Sequence, residues 1–335
     1  MEISEESKVI HLLTQALQTR KLFFQEDCTL AFRFFNGFFE GDPDLVVDIY
    51  GTTLVLYSYC ENEESSLLLL QFTRDFLLNH LPWIRCVIAK HRSAGSSAPR
   101  EGSITFGSRP ETQISEHRVQ YAIELLMNQD ASFYLDTRNL RKWLIDHAEG
   151  LDILNAFAYT GSLGIAALAG GASKVLQIDH NKKFLDLARR SAILNHMDLG
   201  KMKLSTVDFF VGVGQLKKRA RVFDLVILDP PFFSITQKGK VDQLNESARL
   251  INKVRPLVRD GGRIIAINNA LYLSGEEYCR SIEALGQAGF LTLEEIIPIP
   301  EDVTGDKNTQ NSNPPEDPAP FNHPTKIAVL KVKRK

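Results

Sequence analysis

Cysteine is scarce in this chain of 335 residues, and the four present, Cys28, Cys60, Cys86 and Cys279, form no C-x-x-C pair. That scatter excludes a disulfide framework and a zinc site, so no metal is expected and the thiols read as small buried hydrophobes. No apolar run approaches the roughly 18 residues of a spanning helix, and there is no basic-plus-apolar leader or lipidation signal. Neither a membrane partner nor export is therefore expected, which leaves the cytoplasm. Charge of one sign is also lacking. Thirty-nine Lys and Arg against 41 Asp and Glu leave a formal charge of -2, which excludes a surface coated for nucleic acid but not a local patch. Two basic clusters stand out, Lys217 to Arg221 and Lys331 to Lys335, each reading first as a solvated face or tail.

What is present is length and apolar content, 44% hydrophobic, enough for two domains with their own cores. Residues 1–110 read as a small α+β domain: an amphipathic helix over 5–20, strands near 29–35, 44–50 and 52–59, a helix near 64–80 and a strand near 85–90. Ser93 to Pro110, rich in Ser, Gly, Ala and Pro, reads as a loop or seam. A hairpin over 112–116 and 118–125 then leads into a second domain over 111–335. There helices (137–148, 162–169, 181–195, 212–218, 241–258, 274–288) alternate with strands (152–156, 174–178, 203–207, 224–228, 262–268). Such repeats predict a Rossmann-like parallel sheet with helices on both faces. Two last strands, 291–298 and 325–333, have no helix between them and should pair antiparallel, making seven strands. Between them Pro300 to Pro324 reads as a mobile segment, a lid or a surface insertion.

The densest chemistry lies at strand ends. Residues 224 to 233 read Asp-Leu-Val-Ile-Leu-Asp-Pro-Pro-Phe-Phe, a buried-strand run closed by an acid, two prolines and two aromatics. Pro230 and Pro231 remove two donors and fix φ, so Asp229 and neighbouring carbonyls are held at the strand's carboxyl edge, where open α/β sheets bind ligands. Phe232 supplies a stackable ring. The plain alternative is a strand end with a proline stop. Upstream, Asn155-Ala-Phe-Ala-Tyr-Thr-Gly-Ser-Leu-Gly164 places Gly161 and Gly164 where a tight turn opens a helix and a ligand can approach, without the G-x-G-x-x-G of a pyrophosphate cradle. Asp179 closes the next strand, where a carboxylate can accept two ribose hydroxyls. Asp208 closes the third, and Phe209 beside it suits an adenine wall.

This order of motifs resembles a class I S-adenosylmethionine-dependent methyltransferase. Phe133-Tyr-Leu-Asp-Thr-Arg138, Asn155 to Gly164 and Asp229-Pro-Pro-Phe232 further resemble the bacterial 23S rRNA methyltransferase family that carries F-Y-L-D-x-R, N-x-F-x-Y-T-G and D-P-P-x-F. The likeness covers residues 120 to 335 well and the first domain more loosely, through Gly37 to Tyr50. It implies S-adenosyl-L-methionine as cofactor and 23S rRNA as partner. By the same likeness Tyr134, Asp136 and Arg138 line the cofactor pocket, Arg138 on the methionine carboxylate. Asn155, Phe157, Tyr159, Thr160, Gly161, Asp179, Asp208, Phe209 and Asp229 bind the cofactor, and Asp229, Pro230, Pro231 and Phe232 form the catalytic edge.

Family members that methylate cytosine C5 carry a cysteine after the fifth strand, whose thiolate attacks C6. This chain has Ile267-Asn268-Asn269-Ala270 there. Asn268-Asn269 and Asp136-Thr137-Arg138 look closest to the guanine-N7 methylating half of the bifunctional 23S rRNA enzyme, since a ring nitrogen needs only orientation and a donor in line. An exocyclic nitrogen, cytosine C5 or a non-catalytic RNA-binding protein are the alternatives. A nicotinamide oxidoreductase would need the missing glycine fingerprint. His323-Pro324 resembles a His-Pro at the family's final strand. Residues 1–28 are too short for a PUA or THUMP module, so RNA capture is expected from the small domain and loops.

Overall fold

The computed structural model describes residues 5–24, 30–93, 101–287, 289–305 and 309–334. Contacts divide the chain into two compact units, Met1–Leu135 with Pro300–Asn313, and Asp136–Ile299 with Pro314–Lys335. The hairpin expected to open the second domain thus groups with the first unit. Side chains tie that region back: Thr52 Oγ1 donates to Glu111 (2.6 Å) and Tyr50 OH to the Phe133 carbonyl (3.1 Å).

In the first unit, helix α1 (Glu5–Thr19) precedes β1 (Ala31–Asn36), a short α2 (Gly37–Glu40), β2 (Leu45–Tyr50), β3 (Thr53–Ser58), α3 (Glu63–His80), β4 (Cys86–His91), β5 (Ser103–Phe106), and the hairpin β6 (Gln113–Glu116) and β7 (Val119–Ala122). One sheet runs β1-β2-β3-β4-β5, antiparallel except for the β3–β4 pair, which α3 connects as a parallel crossover requires. Leu12, Leu13 and Ala16 of α1 and Leu70 and Leu77 of α3 bury against Phe34, Leu54 and Leu56 of the sheet. Strand β5 lies in the stretch read as loop; residues 94–100 of that stretch fall outside the described residues.

A buried ion pair anchors this unit. Arg20 and Glu40, 2% and 1% exposed, form a bidentate pair at 2.9 and 2.8 Å. Glu40 also accepts from the Asn36 amide (2.7 Å) and from Thr309 Oγ1. Thr309 belongs to the segment expected to be mobile. That expectation is corrected for the described residues of its first half, residues 306–308 falling outside them: Asp302 accepts from the Arg33 amide (2.9 Å), Asn36 Nδ2 donates to the Val303 carbonyl (2.6 Å), and the Asn311 amide donates to Phe39 O (2.8 Å). Turn-type residues that looked like loop composition are spent on capping backbone groups of β1 and α2.

The second unit comprises α4 (Arg138–His147), β8 (Asp152–Ala156), α5 (Ser162–Ala169), β9 (Lys174–Asp179), α6 (Lys182–Leu194), β10 (Met202–Thr206), α7 (Phe209–Lys218), β11 (Phe223–Leu228), the hairpin β12 (Phe233–Thr236) and β13 (Gly239–Asp242), α8 (Ser247–Val254), β14 (Val258–Asn268), α9 (Gly275–Gly286), β15 (Leu291–Ile297) and β16 (Lys326–Val332). The seven-stranded sheet has the order β10-β9-β8-β11-β14-β16-β15, parallel except for β16, which runs antiparallel to both neighbours. This is the class I methyltransferase fold. Leu225 to Leu228 are at most 2% exposed. Burying four such side chains is worth up to about 6–12 kcal/mol. The helix expected over 241–258 is corrected: a hairpin ends at Asp242, α8 spans only Ser247–Val254, and β14 begins at Val258.

Candidate active site

Strands β8, β9, β10, β11 and β14 point the same way, so their last residues share one edge. Beyond β8 the chain turns through Phe157, Tyr159 and Gly161 with φ of 58°, 50° and 78°. Two non-glycine residues in the left-handed region within one turn are held there by their surroundings, a pattern that clusters at functional sites. The Ala158 amide donates to the Ile178 carbonyl (2.8 Å) and the Tyr159 amide to Asp179 (2.9 Å). A Cβ on Gly161 would stand 2.4 Å from Ala188 Cβ, and one on Gly164 2.5 Å from the Gln177 side chain. Both glycines thus serve the close seating of α5 against β9 and α6, in addition to the positive φ at Gly161.

Asp179 is buried at the end of β9, one oxygen taking the Tyr159 amide and the other the Asn181 amide (2.8 Å). Two backbone donors fix the carboxylate at this edge, with the His180 ring 3.6 Å from one oxygen. Asp208 caps α7 with one oxygen, accepting from the Phe210 amide at 2.8 Å. Phe209 is 5% exposed, its ring stacked on Phe157 at 4.3 Å, so Phe157 carries the more open face of that pair. Tyr159 meets Phe184 edge-on at 4.5 Å. Thr160 is buried in the same turn. Asn155 is buried within β8, donating to Gln177 (3.1 Å), with its own Oδ1 bonded to no described residue.

Asp229 follows β11. Among the described residues its carboxyl accepts no hydrogen bond, it keeps an accessible edge, and burial, reinforced by the Asp136 charge, pushes it up to about 7. Asp136, just before α4, accepts from Thr325 Oγ1 (3.2 Å). Arg138, the first residue of α4, is half-buried. Tyr134 falls in the first unit, 47% exposed, its hydroxyl donating to Asp130 (3.0 Å). Pro230 is buried, Pro231 exposed, and Phe232 and Phe233 are 46% and 51% exposed. His323 Nδ1 accepts from the Thr325 amide (3.0 Å).

Two residues beyond the motifs organise this edge. Gln243, 1% exposed, donates from Nε2 to the Pro230 carbonyl and accepts at Oε1 from the Asn269 amide (2.9 Å), while its own amide donates to Phe232 O (3.0 Å). Asn268 Nδ2 donates back to the Gln243 carbonyl (3.0 Å). One glutamine therefore joins the ends of β11, β13 and β14. Lys326, fully buried, donates to the carbonyls of Ala270 (3.0 Å) and Pro324 (2.6 Å), and burial lowers its pKa to about 8. In the sequence Gln243 falls inside the helix expected over 241–258, where nothing marks it, and nothing in the pattern marks Lys326.

A strained turn, a rigid strand-end carboxylate, a half-open ring and a second acid with one oxygen bonded to no described residue suit a nucleoside bearing a cationic group. The family model for S-adenosylmethionine-dependent methyltransferases matches residues 43–294, and the chain belongs to that family. Its cofactor is S-adenosylmethionine. Among curated relatives, it is 28% identical over 301 residues to YwbD of Bacillus subtilis, described as a candidate ribosomal RNA large subunit methyltransferase, covering 87% of this chain and 74% of that protein. It is 29% identical over 269 residues to ribosomal RNA large subunit methyltransferase I of Yersinia pseudotuberculosis, covering 77% of this chain but 66% of that protein, about two thirds of its length. Among solved structures, SMU.776, a candidate methyltransferase complexed with SAH, superposes with a TM-score of 0.85 at 23% identity, over 99% of this chain and 83% of that one. At that identity the likeness speaks for the fold.

Proposed function

We propose that the chain methylates a guanine nitrogen of large-subunit rRNA, N7 in preference to an exocyclic nitrogen, in the cytoplasm. The observation that carries this reading is Asp229: a carboxyl at the strand edge, without a hydrogen bond from any described residue, beside two exposed phenylalanines. Guanine fits such a place, because its N1–H and N2 amino group need an acceptor and its ring needs an apolar face. In the bound state S-adenosylmethionine supplies an electrophilic methyl group on a sulfonium. Asp179 would hold the ribose hydroxyls, Phe157 with Phe209 behind it would wall the adenine, and Asp208 would accept from its amino group. Arg138 would meet the methionine carboxylate, with Asp136, Asn155, Tyr159, Thr160 and Gly161 shaping the pocket.

N7 carries its lone pair at neutral pH, so the chain has to orient the base and exclude water rather than remove a proton. Gln243 already takes the Pro230 and Phe232 carbonyls, which supports Asp229 as the acceptor that orients the base. The raised pKa of Asp229 favours a second reading, an exocyclic amine whose proton the carboxylate accepts. Cytosine C5 is less well supported: Cys279 lies within α9 and burial raises its thiol pKa, the reverse of what a nucleophilic thiolate needs. The small first unit would contact the RNA.

Nucleoside mass spectrometry of rRNA from a deletion strain tests this. Loss of one 7-methylguanosine is expected; loss of an exocyclic methylguanosine would move the target atom, and an unchanged rRNA modification set would remove the substrate assignment.

A further inference from the structure

The catalytic edge continues onto one side of the second unit as a chain of contacts between cations and rings. Lys240 Nζ lies 5.4 Å from the Phe233 ring centre. At the adjoining Gly239 an added Cβ would stand 2.6 Å from the Phe210 ring, so the hairpin turn rests directly on α7. Phe210 in turn lies under Lys253 Nζ at 5.1 Å and Arg249 at 6.0 Å, both from α8. Arg255 stacks on Phe290 at 4.3 Å.

Charge separates two kinds of cation here. Lys240 and Arg249 are neutralised by Asp242 (2.9 Å) and Glu246 (2.5 Å). Lys217 and Lys253 have no ion pair among the described residues. Burial lowers the Lys217 pKa, and the neighbouring cations Lys253 and Arg255 lower it further, so like charges are gathered here. Collecting repelling cations costs free energy unless a polyanion relieves it. Along helix α7 the strip runs from Phe210 to Lys217, about 10 Å.

Resting on the RNA reading above, the geometry points to this strip, from Phe233 across Phe210 and Lys253 to Lys217, as the docking track for the single-stranded RNA that flanks the target base. Phosphates would meet the unpaired lysines, and bases would stack on rings already faced by cations, the pairing that single-strand binders use. The track begins where the target base is proposed to sit.

The test uses the whole chain, a 23S rRNA transcript and the double variant Lys217→Gln/Lys253→Gln, with Arg280→Gln on α9 as control. For the double variant, RNA affinity should fall about tenfold at 0.1 M salt, and the log–log salt dependence should flatten by about 1.4, two single-strand contacts at about 0.7 each. Affinity for S-adenosylmethionine and the melting temperature should stay at wild-type values, and the control should match wild type throughout. Unchanged RNA affinity and slope in the double variant, while wild type methylates the transcript, would overturn the track alone. Wild type that neither binds nor methylates the transcript would overturn the RNA reading and the track together.

Discussion

Glu40 and Asp229 are both carboxyls withdrawn from water, one in each unit, and they are treated in opposite ways. Glu40 has every oxygen engaged, by Arg20, the Asn36 amide and Thr309, and its burial is compensated. Asp229 receives no hydrogen bond from a described residue, faces the charge of Asp136 and has its pKa raised toward neutrality. A satisfied buried acid holds structure, whereas an unsatisfied one at a sheet edge is a free acceptor kept ready at a cost in stability. The same residue chemistry thus separates scaffold from site by its hydrogen bonds.

Substitution should split the two cleanly. Asp229→Asn is expected to lower kcat/KM for rRNA by about 10²-fold through lost orientation of the base, with a melting temperature equal to or above wild type because the repulsion with Asp136 is gone. A variant that unfolds but keeps its activity when folded would invert the contrast. Glu40→Gln should do the reverse, costing about 3–5 kcal/mol in urea unfolding because Arg20 is left buried and unpaired, with kcat per folded molecule unchanged.

Smaller effects sharpen the comparison. Gln243→Ala should cost about 1–3 kcal/mol through the orphaned Pro230 and Asn269 groups. Because Gln243 positions the edge rather than touching the methyl donor, kcat should fall while S-adenosylmethionine affinity holds; loss of donor affinity instead would place it in the cofactor pocket. The pH dependence is the finest probe. The Asp229 pKa, about 7 when folded against an ordinary 3.8, means that the native state keeps a proton the unfolded chain gives up. Its contribution is fully present below about pH 4 and is lost as pH rises through about 7. The difference in urea midpoint between wild type and Asp229→Asn should therefore change across pH 4 to 7 and level off above; a flat difference would mean that Asp229 titrates normally.

The parallel sheet was legible because its strands are short apolar runs separated by helices of ordinary length, and the acids at their ends follow from where those runs stop. The β12–β13 hairpin was not. Its turn, Gln237-Lys238, lacks the Asn-Gly or Asp-Gly signal, and Lys-Val-Asp-Gln-Leu reads equally as the opening of a helix. Phe209-Phe210-Val211 similarly hid the first turn of α7, since β-favouring residues carry little helical signal; the Asp208 cap decided it. At the site, strand-end residues could be named from the sequence, but which are pointed inward could not. Phe209 proved to lie behind Phe157, and the Gln243 side chain acts through Pro230 and Asn269, partners distant in sequence.

The excursion of Pro300–Asn313 into the first unit sets an order of events during synthesis. Glu40, Asn36 and Arg33 emerge early from the ribosome, yet Thr309, Val303 and Asp302, which complete their hydrogen bonds, are translated after some nine tenths of the chain. The amino-terminal unit, first to be made, cannot finish its own interior until the intervening sheet has left the exit tunnel. Nascent chains halted before residue 300 should carry an unfinished amino-terminal unit that a protease can recognise.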